Sequence, residues 1–125
     1  MCLYQKEALG VIMSIVNKEN ARHYKWGNNS DGWHLLDSQS LSVIEECIPA
    51  GGGEERHYHS QAQQFFYILS GVAEITISEK VFTVAAGNGL HVPAKSIHAL
   101  RNNTKRDLRI LVISEPKSHG DKVVV

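Results

Sequence analysis

The sequence predicts an all-β protein built as one barrel or sandwich, and three observations carry that prediction. Short runs of apolar, β-branched and aromatic residues alternate with Gly, Asn and Pro turns. No segment shows the 3.6-residue stripe of an amphipathic helix. The chain has 125 residues, 42% of them hydrophobic and 21% charged, which is the balance of one globular domain.

Taken in chain order, the first apolar run is Ala8 to Val16, about half the roughly twenty residues a membrane span needs. Glu7 at its edge, and Glu19 and Asn20 before Ala21, argue against a secretory signal. Residues 1–25 therefore read as an N-terminal extension, as an added strand or short helix, or as upstream sequence if Met13 is the natural start. The cluster from Trp26 to Gly32 reads as a turn. Ser40 to Ile48 alternates imperfectly, with Leu41, Val43, Glu45 and Cys47 on one face and Ile44 and Ile48 on the other. Phe65 to Leu69, Val72 to Ile77, Val81 to Ala85, Leu90 to Val92 and Leu108 to Ile113 are the other strand candidates. A barrel domain over 26–115 follows, with 116–125 as a tail that is loose or pairs Val123, Val124 and Val125 as an edge strand.

Thirteen Lys+Arg balance thirteen Asp+Glu, so the chain lacks a broad electrostatic footprint for nucleic acid, and a small-molecule ligand is expected. The N-terminal stretch is too short for a DNA-binding helix-turn-helix, and no membrane partner is expected. Two cysteines, Cys2 and Cys47, make no disulfide framework and fit a reduced, cytoplasmic chain. Gly51, Gly52 and Gly53 lead into a strand rather than a helix and so do not make a phosphate loop.

Seven histidines are the exceptional feature of the composition. Residues two apart on a strand share a face, so His57 and His59 project together while Tyr58 points away and packs. Two imidazoles side by side can share a metal. The spacing around them extends the pattern: Gly51, His57, His59, Gln64 and Gly71, then Gly87, Pro93, His98 and Asn102, with fifteen residues from 72 to 86 between the two segments.

These segments closely resemble the two signature motifs of the cupin superfamily, in its small single-domain form. The resemblance implies a double-stranded β-helix, or jelly-roll, barrel. It maps the family's four metal-ligand positions onto His57, His59, Gln64 and His98, and implies a divalent transition metal: iron, manganese, nickel, zinc or copper. Neutral imidazoles suit all of these ions and leave positions open for water or substrate. Two residues depart from the motif. Lys95 stands where a glycine is usual, in the turn Pro93-Ala94-Lys95-Ser96, and Gln64 stands where a glutamate is usual.

Counting from Gln64, Phe66, Ile68 and Ser70 face inward, and Phe66 and Ile68 are candidate substrate-binding residues. Phe65, Tyr67 and Leu69 face outward. An apolar outer row needs cover, and the resemblance to small cupins favours a homodimer. One of Glu45 and Glu46 must face the pocket, where it could act as a base or support a metal ligand. His91, two residues before Pro93, is a further pocket or rim candidate. His23, His34 and His119 lie outside the motifs and are expected on the surface, and Arg101, Lys105, Arg106 and Arg109 read as solvated charge. The leading functional expectation is a dioxygenase-like reaction on a small anionic substrate that chelates the metal. The alternatives are a non-catalytic pocket for a sugar or organic acid, and a structural barrel with a vestigial site.

Overall fold

The computed structural model describes residues 15–125, so the expectations for residues 1–14, including a start at Met13, lie outside it. Among the described residues there are eleven strands and no helix. They are β1 (Arg22–Trp26), β2 (Ser30–Asp37), β3 (Ser42–Ile48), β4 (His57–His59), β5 (Gln63–Ser70), β6 (Val72–Ile77), β7 (Lys80–Ala85), β8 (Gly89–Val92), β9 (His98–Arg101), β10 (Leu108–Glu115) and β11 (Lys122–Val124). Two antiparallel sheets face each other: six strands in the order β1-β2-β3-β10-β5-β8, and five in the order β11-β4-β9-β6-β7. This is the expected all-β jelly roll.

The sheets reach beyond the boundaries expected for the barrel. β1 starts at Arg22, inside the expected extension, and pairs with β2 from Arg22↔His34 to Trp26↔Ser30. The Trp26–Gly32 turn is accordingly shorter than expected: Gly27 and Asn29 take positive φ angles, and Ser30 already begins β2. At the other end the tail is an added strand, with Lys122↔His59 and Val124↔His57 pairing β11 to β4. Asp121 fastens it. Its carboxylate accepts the backbone N–H groups of Ser60, Gln61 and Ala62 at 3.1, 3.0 and 2.9 Å.

Alternation along the strands divides the interior into two halves. Ile48, Phe66, Ile68, Ala73, Ile75, Leu100, Leu108 and Ile110 close one half as a continuous apolar core. Phe66 and Ile68 are 1% and 0% exposed and belong to this core. Burial of each stabilises the fold by about 1.5–3 kcal/mol. The other half carries the polar inward residues and remains open.

Two motif residues hold turns around the closed half. Gly71, at φ +91°, turns β5 into β6, and a Cβ there would stand 2.8 Å from the Asp107 carbonyl oxygen. Asn102 is fully buried. Its amide donates to the carbonyls of Ile48 and Arg106 at 2.9 and 2.7 Å and accepts the Thr104 N–H at 3.0 Å. Asn102→Ala would remove these bonds, of which the one to Ile48 is buried, while the Arg106 carbonyl keeps Thr104 Oγ1 at 3.2 Å. Because a buried group left unpaired costs about 1–3 kcal/mol, the substitution is expected to destabilise the fold by about that much, read as a lowered midpoint in urea.

Candidate metal centre

His57 and His98 stand directly opposite each other across β4 and β9, and His59 follows on the same face of β4. Cross-strand pairing and the two-residue period are therefore what bring three imidazoles together. One ring nitrogen from each lies within 4.8 Å of the others. All three side chains are buried.

Local hydrogen bonds orient two of the rings. His57 Nδ1 donates to the Glu55 carbonyl at 2.7 Å and His98 Nδ1 to the Ser96 carbonyl at 2.9 Å, which fixes the tautomer and leaves each Nε2 a bare acceptor. His98 Nε2 and His59 Nδ1 are buried with no hydrogen-bond partner. Burial pulls the His57 and His59 imidazoles down to about 4 and lowers His98 as well, so all three are neutral at pH 7. His57 and His98 thus keep a lone pair on Nε2.

Gln64, on β5, completes this side. Its Nε2 donates to Ser114 Oγ at 3.0 Å, and Ser114 in turn bonds Ser118 Oγ at 3.4 Å. The amide's orientation is thereby set, and Oε1 is buried without a partner. Three neutral nitrogens and one amide oxygen, several of them orphaned, form a donor set that fits a divalent transition metal.

The cavity lined by His57, His59 and Gln64 measures about 210 Å³, below the roughly 300–1,000 Å³ of sites for drug-sized ligands. Its lining settles which glutamate faces in. Glu46 shares the inward face of β3 with Ile44 and Ile48 and lines the cavity. Glu45, a candidate from the sequence, lies on the opposite face, bonded to Arg109 at 2.8 Å and within 3.7 Å of Lys18. Arg109 is thus a salt-bridge partner rather than free solvated charge.

Three other pocket candidates fall elsewhere. Phe66 and Ile68 point inward and pack in the apolar core, with the Phe66 ring 6.0 Å from that of His98, and neither lines the cavity. His91 pairs in register with outward-facing Phe65 and meets Gln63 Oε1 at 2.9 Å. It lines a separate depression of about 170 Å³ on the outer face of the sheet.

Among the pocket residues that sequence reasoning missed are Tyr24, Trp26, Glu54, His119 and Lys122. Tyr24 reaches the pocket through a row across the sheet, Tyr24↔Gly32↔Glu46, in which any side chain at Gly32 would collide with the Tyr24 ring. The tyrosine lies over the glycine and its hydroxyl meets the Glu46 carboxyl, raising the phenol pKa through burial and the neighbouring acid. Burial, then the proximity of Glu54, pushes Glu46 up to about 8, and burial pushes Glu54 up to about 7. Lys122 sits beside His59 on the same pairing register. His34 and His119, expected on the surface, flank Tyr24 with ring centroids at 5.0 and 6.1 Å, and the His34 side chain is only 7% exposed. His23 is a surface residue, 2.7 Å from Asp31.

Lys95 adopts φ +69°, the left-handed region that glycine takes without strain, and its N–H donates to the His59 carbonyl at 2.8 Å. The lysine keeps the glycine-type turn, and that turn braces the strand carrying two of the histidines.

Comparison with known proteins agrees with this geometry. The pattern of the Cupin domain family matches residues 44–114. An uncharacterized protein of Methanocaldococcus jannaschii is 31% identical over 85 residues, 67% of this chain and 68% of the relative. An RmlC-like cupin from Shewanella frigidimarina superposes with a TM-score of 0.77 at 15% identity, covering 86% of this chain and 95% of the other. The polyketide cyclase RemF from Streptomyces resistomycificus superposes with a TM-score of 0.73 at 16% identity, covering 85% and 81%.

Proposed function

Because this chain belongs to the cupin family, we propose that it is a metal-binding cupin whose pocket takes a small, anionic, metal-chelating substrate and converts it in a dioxygenase-like reaction. The observation that carries the reading is the convergence of His57, His59 and His98, neutral and within 4.8 Å of one another, beside the unpartnered Oε1 of Gln64. These four residues would hold the metal. When bound, a divalent metal supplies a Lewis-acid centre and, in the case of iron, electrons for oxygen chemistry.

The remaining residues give the pocket its chemistry. With four neutral ligands the ion keeps its full charge, and Lys122 adds another positive group at the rim, so negative ligands are drawn in. Glu46, whose carboxyl is pushed up to about 8 by burial and the nearby Glu54, stands where it can give the substrate a proton or take one back. Gln64 can do neither. The closed apolar half below excludes water from the pocket floor. The reading is tested by loading the protein with iron(II) and following oxygen uptake with diketones, catechols and thiols. Uptake with product formation supports it, and stoichiometric metal without uptake favours the non-catalytic binding of a sugar or organic acid.

We also propose a homodimer formed through the outer face of the six-stranded sheet. Phe65, Tyr67 and Leu69 are 39%, 37% and 36% exposed, in a row that solvent-facing strands seldom carry. Light scattering is expected to give twice the 13.9 kDa chain mass, and the monomer mass would contradict the proposal. A cytoplasmic location is supported by the free thiol of Cys47. Among the described residues no helix is long and apolar enough to cross a membrane.

A further inference from the structure

The pocket has two unlike walls. The histidine wall carries His57, His59 and Gln64, and His59 Nδ1 and Gln64 Oε1 have no partners there. The wall built by β1, β3 and the approach to β4 presents Glu46, Glu54, Tyr24 and Trp26. Glu54 Oε1 already accepts the Leu100 N–H at 3.1 Å, which holds that carboxyl in place. The indole Nε1 of Trp26, in contrast, is buried without an acceptor.

We propose that this second wall reads hydroxyl groups, and that the pocket's ligand class is therefore a small polyhydroxylated carboxylate. The inference rests on the reading of the histidine wall as the metal and anion end. A carboxyl offers an acceptor oxygen whether or not it holds a proton, so this wall favours a ligand end that carries donor hydrogens over a hydrocarbon one. An ammonium group would satisfy the carboxyls, but Lys122 and the metal's charge oppose it. Trp26 Nε1 calls for an acceptor on the same wall. A hydroxyl group is donor and acceptor at once, and so satisfies both demands from one carbon. The cavity of about 210 Å³ limits such a ligand to a short chain.

The row that builds this wall is specific. Tyr24 crosses Gly32 to meet Glu46, so the carboxyl is positioned by a residue two strands away. An inert barrel interior would have filled these positions with aliphatic side chains, as the closed half does.

The test uses zinc-loaded full-length protein and three four-carbon acids by titration calorimetry: butanoate, 2-hydroxybutanoate and 2,3,4-trihydroxybutanoate. The 2-hydroxy acid chelates as well as the trihydroxy acid, so their difference isolates the outer hydroxyls. Since a net hydrogen bond is worth about a kcal/mol, the trihydroxy acid is expected to bind about tenfold or more tightly than the 2-hydroxy acid. In Glu46→Leu, and independently in Trp26→Phe, that advantage should shrink to about threefold or less, with zinc content unchanged. Equal binding of the two acids by wild-type protein, or an advantage that survives both substitutions, would overturn the proposal. Protein that holds no zinc but still prefers the trihydroxy acid over butanoate would overturn the metal reading and support the hydroxyl-reading wall.

Discussion

Replacing His57, His59 or His98 with alanine is expected to weaken metal binding by on the order of a hundredfold or more, and to leave the barrel folded. Each histidine supplies one of three convergent nitrogens, and two of the three carry a carbonyl acceptor on Nδ1 that fixes the ring. Losing one ligand removes a bond and opens the site to water. The barrel should survive because these rings line the open half, whereas the apolar residues that sustain folding, Phe66, Ile68, Ile75 and Leu100 among them, fill the closed half. Metal content by mass spectrometry and a thermal melt, measured on the same samples, separate the two effects. A triple alanine variant that still carried one metal per chain would show that the ion sits elsewhere.

Gln64→Glu is expected to have the second large effect, in opposite directions on two ligands. A carboxylate lowers the net charge of the metal and its ligands from +2 to +1. Metal binding should tighten by on the order of 1 kcal/mol or more, because the added charge acts in a partly dry pocket. Anionic ligands should bind more weakly, since the centre attracts them less. The surroundings can accept the change: Ser114 now accepts a hydrogen bond from Gln64 Nε2 and can turn its own hydroxyl toward a carboxylate instead. Titrating metal, then a carboxylate ligand, into both proteins tests this. If both affinities were unchanged, Gln64 would lie outside the metal's reach.

How far the sequence could be read depended on how local the information was. His57, His59, Gln64 and His98 stood out because each lies in a short motif whose spacing survives without the fold. The inward direction of Phe66 and Ile68 was equally legible, from parity with Gln64. Parity does not say which end of a barrel is open, however, and both residues proved to fill the closed end. Glu46 could have been chosen over Glu45 from its parity with Ile44 and Ile48, but Leu41 and Val43 made the other face look equally apolar. His91 was beyond local reading because a turn separates it from His98, and its face is set by pairing with Phe65 on β5.

Apart from Glu54, which precedes β4, the charged and aromatic residues missed come from the chain's two ends. Tyr24 and Trp26 enter through β1, and His119 and Lys122 through the tail that Asp121 ties to the loop after His59. Their place in the pocket depends on strand pairings far apart in sequence, for which a single strand's periodicity carries no signal. Gly32 was readable only as a turn residue. Its second role, leaving space for a tyrosine from the neighbouring strand, appears only once β1, β2 and β3 are set side by side.

Metal analysis of the purified full-length protein decides whether the three histidines form a metal centre. After saturation with a divalent metal and removal of excess by dialysis, wild-type protein is expected to retain about one ion per chain, which is lost when His57, His59 and His98 are replaced together. Wild-type protein that kept no ion under the same treatment would contradict this expectation.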